Sequence, residues 1–88
     1  MDDTVRCWLV ERSIDDRDLI VLVYATTDGE YALQKELAAA VMHQRRMSTT
    51  AAIDVSKDDL SPVSEDLQEQ YASEATKMAE THDPDEEI

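Results

Sequence analysis

Cys7, His43 and His82 are the side chains of this chain with the strongest claim to nucleophilic or metal chemistry. Nucleophilic catalysis needs a Ser or Cys with a base in reach. Cys7 falls on the inward side of an alternating stretch, and both histidines lie far from it in sequence. In that position a cysteine reads as a small buried hydrophobe. Metal ligation needs several converging donors, yet there is no paired-Cys motif, no His-x-x-x-His and no calcium loop. "HDPDEEI" (His82–Ile88) sets carboxylates beside an imidazole, but such a tail offers no fixed geometry. The acidic pairs Asp15-Asp16, Asp58-Asp59 and Glu65-Asp66 read as solvated loops and helix starts, because with 21 acids no pair stands out. Phosphate cradles need glycine where backbone meets ligand, and Gly29 is the single glycine. The expectation is a protein that is not an enzyme, with no cofactor and no metal.

The elements that carry these residues follow from periodicity. "TVRCWLVER" (Thr4–Arg12) alternates, with Val5, Cys7 and Leu9 on one side and Arg6, Trp8, Val10 and Arg12 on the other, as a strand does. "DLIVLVYAT" (Asp18–Thr26) is apolar on both faces and rich in branched residues, which predicts a central strand paired with the first. "TTDGEY" (Thr26–Tyr31) supports two readings. Asp28-Gly29 between apolar runs signals a hairpin; Thr27-x-x-Glu30 is a capping box that would open one long helix. The favoured reading is a third strand over about Glu30–Glu36, then a short helix to about Met47. "TTAAIDV" (Thr49–Val55) reads as a further short strand. "SPVSEDLQEQYASEATKMAE" reads as a helix starting at Ser61-Pro62 with Ser64 as a second cap, its apolar stripe being Leu67, Tyr71, Ala75 and Met78. The expected fold class is α+β: a small antiparallel sheet of 3–4 strands, a short middle helix and a longer C-terminal helix. Residues 1–82 form one domain and 83–88 an acidic mobile tail.

Asp plus Glu number 21 against 8 Lys plus Arg, a formal charge of −13. At low salt such a chain repels itself; near 1 M the Debye length is only ~3 Å and the repulsion fades. High acid, little Lys and few bulky aromatics predict a halophilic protein. The lone cysteine excludes an internal disulfide and fits a reducing, cytoplasmic setting. "MDDTVRCWLV" opens acidic, unlike a signal peptide, and the apolar run Leu19–Ala25 is far short of the ~20 residues a bilayer crossing needs. Negative charge disfavours anionic membranes and nucleic-acid backbones.

Two stretches remain as binding surfaces. The first is the strand face of Arg6, Trp8, Val10 and Arg12, with Tyr24 on the neighbouring strand, since Trp, Tyr and Arg dominate interface energetics. Left open, this face would pair with a second copy and make a homodimer; covered by the C-terminal helix, Trp8 would be core. The second is "VMHQRRMSTT" (Val41–Thr50), inside a window with no Asp or Glu between Glu36 and Asp54. Arg45 and Arg46 could contact an acidic partner, with Met42, His43 and Met47 beside them. A plainer account makes the window core plus the cationic end of a short helix.

The passages "CWLVER", "DLIVLVYATTDGEY" and "EQYASEATKMAE…HDPDEEI" resemble small uncharacterised acidic haloarchaeal proteins. The resemblance implies lineage and compartment, favours the hairpin at Asp28-Gly29, and brings no activity, cofactor or catalytic residue. The sequence thus leads to a non-enzymatic protein-interaction module of a halophilic archaeon, self-associating through the Trp/Arg sheet face. The alternatives are a nucleic-acid-associated regulator using Arg45 and Arg46, or an acidic nucleic-acid mimic.

Overall fold

A computed structural model of the chain describes residues 3–40 and 49–88. Its elements are β1 (Thr4–Ile14), β2 (Leu19–Ala25), β3 (Tyr31–Ala38), β4 (Ala52–Ser56), a 3-10 turn (Lys57–Asp59), β5 (Ser61–Pro62) and the helix α1 (Glu65–Thr81). The class is α+β. Among the described residues the sheet has five strands in the order β4-β1-β2-β3-β5, all antiparallel.

The hairpin reading of "TTDGEY" holds. Thr26 N–H donates to Tyr31 O (3.0 Å) and Gly29 N–H to Thr26 O (2.9 Å), so β2 returns directly as β3. The backbone turns helical at Ala39 and Ala40; the rest of the expected middle helix lies outside the described residues. A fifth strand replaces part of the expected C-terminal helix. Ser61-Pro62 reads locally as a helix start, but Tyr31 and Ala32 pair with it as an edge strand, a place where proline's missing N–H costs no ladder bond. The helix begins after Ser64 instead, with Glu65 and Asp66 in its first turn at the positive end of its dipole.

Both faces of the sheet carry buried residues. One buries Cys7, Leu9, Leu22, Tyr24 and Val55, with Ile20, Leu33, Leu37, Ile53 and Leu60 packed against them. The other buries Trp8, Ala51, Ala52 and Ala75 of α1. Met78 touches both clusters. Small alanines around the single indole let strand, loop and helix approach closely in a chain without Phe. Each fully buried large side chain contributes roughly 1.5–3 kcal/mol against the entropy of folding.

Residues 83–88, read from the sequence as a mobile tail, lie beside Thr49–Ala52. Ala51 N–H donates to Glu86 O (2.9 Å), Ala52 N–H to Pro84 O (3.0 Å) and Ile88 N–H to Thr49 O (2.8 Å). Backbone donors that β4 leaves unpaired find acceptors there.

Candidate interaction groove

The expected Trp/Arg face is not assembled as an open surface. Trp8 stands opposite Ala25 and Ala52 and is only 7% exposed, held in the cluster that includes Ala75. The register of β1 against β2 shifts between Leu9 and Glu11, which makes Val10 the extra residue of a bulge. Past it, parity reverses. Arg12 stands opposite Leu22 and so shares the face of Leu9, away from Trp8. Tyr24 stands opposite Leu9, buried on that same face, and its hydroxyl pKa is raised by burial. Val10 packs against the Trp8 cluster. Arg6 is exposed and pairs with Asp54 across the strands at 3.3 Å. Arg12 reaches the backbone carbonyl of Ile88 at 3.5 Å. Met42, His43, Arg45, Arg46 and Met47 lie outside the described residues.

Cys7 is fully buried, as the alternation predicted. Burial, reinforced by the charges of Asp54 and Asp28, pushes its thiol up to about 11. A thiol held protonated at neutral pH is a poor nucleophile. Among the described residues, no three His, Cys, Asp or Glu side chains are grouped to hold a metal ion. No helix there is long and apolar enough to cross a membrane.

The feature that sequence reasoning missed is a groove of about 370 Å³ between the helix N-terminal half and the β3–β5 side of the sheet. Val23, Ala32, Pro62, Leu67 and Tyr71 give it an apolar lining. Leu67 and Tyr71 belong to the stripe that periodicity assigns to core. Ala75 on that stripe is fully buried, but Leu67 is 36% exposed, because the N-terminal half of α1 stands over the narrow two-residue strand β5. The signal was available: Pro62 limits how far an edge strand can pair. Asp59 is the one charged residue among the described lining. Tyr71 has its hydroxyl pKa raised by burial and then by the nearby negative charge of Glu11. The groove is therefore mainly apolar, with Gln34, Ser61 and Ser64 as its neutral polar lining and the carboxylates of Asp59 and nearby Glu11 giving it negative charge.

A family of unknown function (DUF7967) matches residues 1–88, the whole chain. The chain belongs to that family. No curated protein and no solved structure matches the chain.

Proposed function

We propose that this member of the family is a non-enzymatic protein-interaction module that works at high salt, in the cytoplasm of a halophilic archaeon. The observation that carries the binding reading is the groove beside α1, with Leu67 exposed over an apolar lining and carboxylates at the margin. Its occupant is a segment of another protein that presents an aliphatic or aromatic side chain flanked by Lys or Arg. At molar salt the net charge is screened beyond ~3 Å, so the apolar contact supplies most of the affinity, and Asp59, at contact range in the lining, selects the cationic flank. The burial of Trp8 speaks against a docking surface centred on its indole. The salt reading rests on composition and on the resemblance to haloarchaeal proteins.

The test uses immobilised peptides with a central leucine or phenylalanine flanked by Lys/Arg or by Asp/Glu, probed with the folded chain in molar KCl. The expected result is binding to the cationic set that Leu67→Asp removes while the melting temperature stays near wild type. Equal binding to both sets, or binding that survives Leu67→Asp, overturns the proposal. Light scattering on the same samples reports self-association; a dimer lost in Leu67→Asp would make the occupant a second copy.

A further inference from the structure

A second cavity, of about 420 Å³, lies at the other end of the sheet. The chain leaves β4 through the 3-10 turn and crosses this end as a strap to reach β5 on the opposite edge. The strap is tied at both ends: Lys57 N–H donates to Asp3 O and Val63 N–H to Glu30 O, each at 2.9 Å. Between the strap and the β2–β3 turn, the cavity is lined by Val5 and Leu60, by Thr26 and Tyr31, and by two opposite charges, Asp28 and Lys57.

The two charges are held differently. Asp28 is fixed by the turn: its Oδ1 accepts from the Thr26 hydroxyl and from Glu30 N–H at 2.9 Å. These bonds hold its carboxyl below the usual value, so it stays ionised. Lys57 is anchored through its backbone and carries its ammonium on a four-carbon arm. Among the described residues neither Asp28 nor Lys57 forms an ion pair. A fixed anion and an adjustable cation, both solvent-exposed, therefore line one partly apolar cavity without an ion pair between them.

We propose that this cavity binds a small zwitterion, a molecule of the α-amino-acid class. Its ammonium sits on Asp28, its carboxylate meets Lys57, and its side chain rests against Val5 and Leu60. The pairing of the two charges argues for this class. At molar salt the net charge is screened beyond ~3 Å, so contacts inside the cavity decide, and there an anion meets only Lys57 and a cation only Asp28. A zwitterion gains from both ends where both partners line one cavity. This site is separate from the groove beside α1, so either can stand without the other.

The experiment is an NMR titration of the isotopically labelled chain in molar KCl. The probes are free α-amino acids, with n-butylamine and butyrate as single-charge controls. The expected result is a saturable shift at the amides of Asp28, Glu30, Lys57 and Leu60 for at least one amino acid, with the controls at least about tenfold weaker. Lys57→Met should weaken that binding by about tenfold with an unchanged melting temperature, and Asp28→Asn should do so through the other end. If Asp28→Asn disturbs the turn, Lys57→Met still decides. No saturable shift with any amino acid overturns the proposal; so do controls that bind as well, or a Lys57→Met chain that binds like wild type.

Discussion

Gly29, at the tip of the β2–β3 turn, lies against the backbone of Ala72 in α1. A β carbon at Gly29 would stand 2.7 Å from Ala72 N and 3.0 Å from Ala72 Cβ, and would run into the Gln68 carbonyl. The residue also has φ +72, the left-handed region where glycine is free of steric cost. Thr76 adds a long 3.5 Å hydrogen bond to Thr27 O next to it. The single glycine of the chain thus sets both the hairpin and the distance between turn and helix.

Gly29→Ala should destabilise the fold by roughly 2–4 kcal/mol, the sum of left-handed strain and displacement of helix backbone. Asp18, the other described position with positive φ (61), already carries a β carbon there. Asp18→Gly should therefore change stability by no more than about 0.5 kcal/mol. Denaturant midpoints in molar KCl measure both; a Gly29→Ala loss of only about 1 kcal/mol, the left-handed strain by itself, would mean that close approach to α1 does not matter.

Trp8→Ala should lower stability by about 3–5 kcal/mol, since a buried indole leaves a cavity among alanines too small to collapse into it. A domain of this size has only about 5–15 kcal/mol in total. Loss of cooperative unfolding, seen by circular dichroism, is the expected signature. A variant as stable as the parent would place the indole outside the core.

Stability should fall as pH rises from 9 to about 11. The thiol of Cys7 has its pKa raised in the folded state, so the unfolded chain releases its proton first and is favoured above its own value of 9.0. Tyr24, raised by burial, acts in the same direction. Cys7→Ala should flatten the lower part of this slope, measured as denaturant midpoint against pH. In the native state the thiol should also react slowly with a disulfide reagent at neutral pH, and quickly once unfolded. Asp28 has the opposite sign: its pKa is lowered, so its contribution is present above 3.8 and is lost as pH falls below it.

Melting temperature should rise with KCl from about 0.1 M to molar concentration, as the Debye length falls from ~10 Å to ~3 Å. The acids greatly outnumber the bases, and the Lys/Arg ion pairs among the described residues, Arg6–Asp54 and Arg17–Asp15, are exposed and worth little. A melting temperature that is flat or falls with KCl would separate the charge from stability and sink the high-salt reading.

Local chemistry made several parts of this protein legible in its sequence. Alternation in Thr4–Arg12 placed Cys7 and Leu9 inward, the branched run Leu19–Ala25 marked a strand buried on both faces, and Asp28-Gly29 marked the turn. Each rests on short-range sterics or a period of two, which neighbouring residues set by themselves. Other features needed the partner elements. The bulge at Val10 swaps the face of Arg12, and nothing in "WLVER" announces it. Pro62 has a local preference compatible with a helix start or an edge strand, and pairing with Tyr31 decides between them. Leu67 and Ala75 lie on one stripe, yet only the sheet beneath determines that one is exposed and the other sealed. The sequence alone determined the strongly acidic charge, the strand pattern and the need for a glycine at position 29. Tertiary structure decided what Gly29 touches, which face holds Trp8, and where grooves open. Periodicity fixes a residue's direction within its own element, while exposure depends on where a distant part of the chain comes to rest.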